Sequence, residues 1–257
     1  MELQSSQAVG AAAPETAAPG TSLSVFQRAV AVFVRPGSAW GGLETRVQWW
    51  FPLIVMIVFS AAFSALLHDR ALMPMITESW EQAVADGRMT GEQVDRMTAF
   101  MSGPAGMAIT IGQQAIAVPI LFMLAALIVW FGVGFVLGKK FRFRLALECA
   151  AWSSLITIPG QFLTGALAWS KQTMKGLHTG LGVLVPESDP VTKLQTGLAF
   201  FLDAIGPLSI WYLAVLIIGA SALSGAPRKS TAWVLGGLYL ALMVGFAVLA
   251  GMMSRGG

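Results

Sequence analysis

Few side chains in this sequence combine a reactive group with an apolar setting. They are Ser221, Glu148 and Asp203, and the only histidines are His68 and His178. Gly219-Ala220-Ser221-Ala222 has the local form of an intramembrane serine protease nucleophile, which needs a base, normally histidine, to take its proton. Both histidines fall in polar connections at the edge opposite Ser221, so that pairing is refused. A small-residue packing face containing Gly219 and Ser221 is expected instead. Glu148 follows Arg144 by four residues, which predicts an ion pair on one helix face; a carboxylate serving transport or proton relay is the competing reading. Asp203 stands before Gly206-Pro207, where it is expected to cap the next helix or pair with Lys193, with partner recognition as the alternative. No two aspartates share an apolar run, no His/Asp/Glu cluster has metal-ligand spacing, and no GxxxxGK[ST] string occurs. The expectation is a chain that is not an enzyme and holds no cofactor or metal.

The elements that carry these residues are oriented by one stretch, Phe131 to Trp152, FGVGFVLGKKFRFRLALECAAW. It joins two long apolar segments through Lys139, Lys140, Arg142 and Arg144, with no acid among them. A short basic connection between two spans predicts a cytoplasmic turn. GVGFVLG is no dinucleotide-binding loop, because no strand precedes it. Gly132, Gly134 and Gly138 are expected to let another helix approach closely.

Composition agrees. Of 257 residues, 56% are hydrophobic and 11% charged, far below the roughly 25% usual for a soluble domain. A net charge of +3 spread among apolar runs does not suit nucleic acid; the cations read as topology signals and contacts for lipid headgroups. The single cysteine, Cys149, excludes an internal disulfide.

Residues 1–22 read as a disordered cytoplasmic tail, and 23–253 as one membrane domain. From Ser24 the pattern is helical until Pro36-Gly37, which predicts a short interfacial helix. Five crossings are expected, at about 49–67, 106–137, 143–169, 208–223 and 231–252. Two small amphipathic helices are expected in the polar stretch 68–104, the second capped by Thr90 with Gln93. Residues 170–204 read as a second outside connection. The fold class is therefore all-α, a five-helix transmembrane bundle with short amphipathic helices in the N-terminal segment and the first outside loop. Arg228 and Lys229 mark another inside turn. Nine cations then lie inside, in short connections, and seven outside in long, acid-rich ones, which puts the amino terminus in the cytoplasm and the carboxyl terminus outside.

Arg35-Pro36 with Trp40 before the first span, Gly132, Gly134 and Gly138 ahead of the basic turn, and Leu202-Asp203 followed by Ile210-Trp211 and Gly219 occur in an order that resembles the Yip family. These are the Ypt/Rab GTPase-interacting membrane proteins, here of bacterial type, and the resemblance covers roughly 24–252. The DLYGP-like string of eukaryotic relatives is missing from residues 1–48, so Rab binding is not carried over. The resemblance implies a non-enzymatic scaffold or accessory protein in a bacterial inner membrane, acting through protein contacts. Asp203, Trp211 and Glu148 are candidate structural or partner contacts. An export or transporter complex, or a second copy of the chain, is the expected partner beside the lipid bilayer. The alternative is a small transporter or channel component, for which the mid-span polar groups Gln113, Gln114, Gln161 and Thr164 are few.

Overall fold

The computed structural model describes residues 23–174, 176–186 and 192–254. The tail expected over residues 1–22 lies outside the described residues. Among these residues every regular element is helical. In chain order they are α1 (Val25–Val34), α2 (Trp50–Leu67), α3 (Met73–Ala85), α4 (Gly91–Met101), α5 (Pro104–Gly112), α6 (Gln114–Trp130), α7 (Phe143–Ser154), α8 (Ile158–Lys171), α9 (Lys193–Asp203), α10 (Pro207–Ser224) and α11 (Arg228–Met253).

Among the described residues four helical stretches are long and apolar enough to cross a membrane: Trp50–Ala85, Pro104–Val136, Pro207–Ser224 and Arg228–Met253. The first runs through a π-helical turn, His68–Leu72, and the second ends in another, Phe131–Val136. Such turns free backbone groups that the surrounding bundle must satisfy, so they mark special positions rather than ordinary span. The stretch expected as a third crossing is built differently. A 3-10 turn at Leu155–Thr157 splits it, with Pro159 in the first turn of α8. Every residue of α7 from Leu145 to Ser154 except Leu147 is buried. It is an interior helix carrying Glu148, Ser153 and Ser154, which is why its composition is less apolar than that of the outer spans.

The core gathers around α7. Trp152, Cys149, Ala146 and Ala150 pack with Val129 and Val133 of the second stretch, Val215 and Ala220 of α10, and Val32, Trp40 and Leu43 of the N-terminal segment. Wide apolar exposure on α2, α6 and α11, with Val58, Ile116, Leu121 and Trp233 among the exposed side chains, is the surface lipid would cover.

Residues 192–206 are not a solvated connection. α9 runs antiparallel along α11, so close that a β-carbon at Gly197 would meet the Ala247 carbonyl oxygen at 2.7 Å and one at Gly251 the Lys193 carbonyl oxygen at 2.7 Å. The Tyr239 hydroxyl, near the midpoint of α11, donates to the Ala204 carbonyl at 3.1 Å. The chain thus enters α10 from deep within the bundle.

Candidate functional site

At the basic end, helix α1 starts with a complete capping box. Ser24 Oγ accepts from the Gln27 N–H at 3.3 Å and Gln27 Oε1 accepts from the Ser24 N–H at 3.0 Å. This sets the helix phase so that Phe26, Val30 and Val34 point outward while Arg28 points in and is fully buried. A buried guanidinium is tolerable only when its donors are met. Arg28 Nη1 donates to the Ala39 carbonyl, Nη2 to the Gly41 carbonyl at 2.9 Å, and Nε to Gln48 Oε1 at 2.9 Å. Burial pulls Arg28 below its ordinary pKa range, and the Glu148 charge opposes that pull. The guanidinium also lies 5.7 Å from the centre of the Trp152 ring, whose stacking neighbour is Phe51 at 5.8 Å.

Glu148 completes the assembly from α7. Its Oε1 accepts the Gln48 N–H at 2.7 Å, and its Oε2 accepts the Trp152 Nε1–H at 3.2 Å. Arg144 Nη1 stands 3.8 Å from Glu148 Oε1, so the pair suggested by the four-residue spacing exists but is the loosest of the three contacts. The main work of Arg144 lies elsewhere. It donates to the carbonyls of Leu43 at 3.0 Å, Arg46 at 3.0 Å and Glu44 at 2.6 Å. One guanidinium thus gathers the last turn before α2, a geometry that a planar fork of donors suits. Arg144 is therefore a structural clamp on the N-terminal segment as well as a member of the basic turn.

The remaining cations at this end are solvent-accessible. Arg35, Arg46, Lys139, Lys140, Arg142, Arg228 and Lys229 are all exposed, and Glu44 is the exposed acid among the described residues there. The result is a basic rim around a rigidly held N-terminal segment.

The glycines divide by role. A β-carbon on Gly132 would meet Leu235, Leu238 and Val234 at 2.9, 3.1 and 3.2 Å, so this residue is where α11 approaches. Gly134 would meet only Trp130 of its own turn, at 3.7 Å or more. Gly138 has φ +63° with open space around it, which makes it the residue that ends the helix and not a packing contact. Gly219 lies against the Trp40 indole. Ser221 Oγ donates to the Ala226 carbonyl at 2.7 Å, bracing the turn after α10. Trp211 is on the exposed surface of α10.

Asp203 lies with the loop that follows α8. Its Oδ2 is 2.7 Å from His178 Nδ1, and its Oδ1 accepts the Gly180 N–H at 3.2 Å. The first-turn N–H groups of α10 and Lys193, the partners expected from sequence, are not what it binds. The reason is that α9 brings the carboxylate back against residues 178–182 before the chain turns at Gly206.

Sequence reasoning passed over Arg28, Gln48 and Trp152. The available signal was Arg28 itself, a lone cation in ten otherwise mostly apolar helical residues, since such a cation must find acceptors within reach. Gln48 and the carbonyls of residues 39–46 gave no signal, because backbone acceptors are the same at every position.

Comparison with protein families matches residues 30–249 to the Yip1 domain. No curated protein and no solved structure matches the chain.

Proposed function

Because the chain belongs to the Yip1 domain family, we propose that it is a non-enzymatic multi-pass membrane scaffold or accessory subunit that works through protein contacts at its basic end. The observation that carries this reading is the Arg28, Arg144 and Glu148 network. It commits buried charge to holding residues 24–49 in one conformation and leaves seven exposed cations around them. Removing one member of a buried charged network costs about 3 to 5 kcal/mol, so the segment is fixed rather than free. A rigid, charged rim beside the bilayer suits recognition of a partner with an acidic juxtamembrane surface.

In the same proposal the stretch 143–171 crosses the membrane as a broken fifth span inside the bundle. The amino terminus and basic rim are cytoplasmic, the carboxyl terminus is outside, and the membrane is a bacterial inner membrane. The partner is another membrane protein, such as a component of an export or transporter complex, or a second copy of the chain. Purification from native membranes after mild cross-linking, with identification of the components, tests the reading. A stoichiometric membrane-protein partner lost when Arg35, Arg46, Lys139 and Lys140 are changed to Gln supports it. A chain that purifies alone, whether native or substituted, overturns it.

A further inference from the structure

The interior contains a second polar feature, far from the basic rim. A cavity of about 480 Å³ is bounded by Phe63 of α2, Thr157, Gly160, Gln161 and Thr164 around the start of α8, and Ser209 and Tyr212 of α10. Tyr239 of α11 and the loop residues Met174, Thr179 and Gly206 complete it. Its position follows from the break between α7 and α8 and from the return of α9, which together leave no continuous helix to fill the space. Irregular backbone at membrane depth is tolerated where protein covers it or where it lines a polar cavity. Tyr239 places this cavity near the middle of α11, within the bilayer-spanning part of the bundle.

The lining chemistry is specific. Apart from Phe63, Met174 and Leu208 and the glycines, every residue around the cavity carries a hydroxyl or amide, and none carries a charge. Some of these groups are already occupied: Thr164 Oγ1 donates to the Gly160 carbonyl at 3.0 Å, and Gln161 Nε2 donates to Thr157 Oγ1 at 3.1 Å. Others are not. Among the described residues the hydroxyl of Tyr212 and the amide oxygen of Gln161 have no hydrogen-bond partner, while Thr179 is exposed. The Tyr212 hydroxyl and the Gln161 oxygen face open space. An occupant that hydrogen-bonds to these two groups would meet polar atoms that the protein itself leaves open.

We propose that this cavity is a binding site for an uncharged group bearing several hydroxyls, of polyol or sugar type. The absence of a lining charge disfavours ions, since a charge taken to this depth without a counter-charge is expensive. Donors and acceptors are mixed, as hydroxyl groups require, and the volume lies within the range of small-molecule sites. Phe63 and Leu208 supply the apolar faces on which a sugar ring or the glycerol end of a lipid can rest. The site stands independently of the scaffold reading, because none of its residues belongs to the basic rim.

The test uses the full chain with Cys149→Ser in lipid nanodiscs, which expose both membrane faces. Single cysteines are introduced at Thr164 and Ser209 in the cavity and at Phe162, on the lipid-facing side of α8. The probe is a cationic, water-soluble methanethiosulfonate. Expected is modification of Thr164→Cys and Ser209→Cys at least an order of magnitude faster than Phe162→Cys. Sucrose in the buffer should slow modification several-fold if a free solute is bound. A galactosyl diacylglycerol in the nanodisc should do so if the group is a lipid headgroup. Modification of neither cavity cysteine above the Phe162→Cys rate, in protein that remains monodisperse, would show a closed cavity and overturn the proposal. Fast modification slowed by neither sugar source would show a site for water alone and overturn it equally.

Discussion

The Trp40 indole lies directly against Gly219: a β-carbon there would come within 2.6 Å of two ring carbons. This contact joins the N-terminal segment to α10. A glycine is needed for closeness here, since a ring of this size can approach a helix backbone only where no side chain intervenes.

Gly219→Val should therefore displace Trp40 and lower stability by about 1 to 3 kcal/mol. Gly237→Val, where a β-carbon meets nothing within 4 Å, is the control. Thermal melting of the detergent-purified protein measures both. Equal melting of the two variants would mean that Trp40 can relocate without loss.

Gly132 and Gly138 should separate in the same assay. Gly132→Val collides with Leu235, Leu238 and Val234 and should cost about 1 to 3 kcal/mol through packing. Gly138→Asn should be nearly neutral, because Asn accepts a positive φ, whereas Gly138→Val should cost about 1 to 2 kcal/mol through backbone strain alone. If Gly138→Asn is as damaging as Gly132→Val, Gly138 has a contact beyond its turn.

These two glycines also show how much the sequence could disclose. Spacing identified small residues near the basic turn but could not say which faced a helix, because Gly132 and Gly138 look alike until α11 is placed beside one of them. Hydropathy and basic turns located the apolar elements because those signals are local. Arg28 and Asp203 were misplaced or missed for the opposite reason. Their partners come from residues 39–48 and 178–180, brought close by packing that leaves no mark in composition. The third apolar stretch was legible as a helix yet not as an interior one, since burial within a bundle and burial in lipid select similar residues.

Glu148→Ala should loosen the N-terminal segment. It removes acceptors from the Gln48 N–H and the Trp152 indole and leaves Arg28 and Arg144 without a counter-charge, a loss of about 3 to 5 kcal/mol. Limited trypsin digestion should then cut after the exposed Arg46 much faster than in the unaltered protein. Arg144→Lys should give the same digestion pattern in weaker form, because a single ammonium nitrogen lacks the planar fork that spreads the donors to these carbonyls over two nitrogens. Unchanged digestion of both variants would mean that apolar packing alone holds residues 24–49.

The orientation has its own check. With Cys149→Ser, cysteine at exposed Asp95 should react with an impermeant maleimide in intact cells, while cysteine at exposed Lys140 should react only after lysis. The reverse pattern would put the basic rim outside.

Asp203 offers the sharpest contrast between charge and hydrogen bonding. Its two oxygens are divided between His178 at 2.7 Å and the Gly180 N–H at 3.2 Å, and a β-carbon at Gly182 would overlap the carboxylate itself. Asp203→Asn keeps an oxygen for Gly180 and an amide that can still bond the His178 ring, so it should melt close to the unaltered protein. Asp203→Ala strands both partners at a partly buried site and should cost about 1 to 3 kcal/mol. Gly182→Ala should resemble Asp203→Ala, because it drives the carboxylate from the same position without altering its chemistry. The three melting temperatures decide the matter together. If Asn is as harmful as Ala while Gly182→Ala is harmless, the negative charge is what residues 178–180 require, and the hydrogen-bonding account of this loop fails.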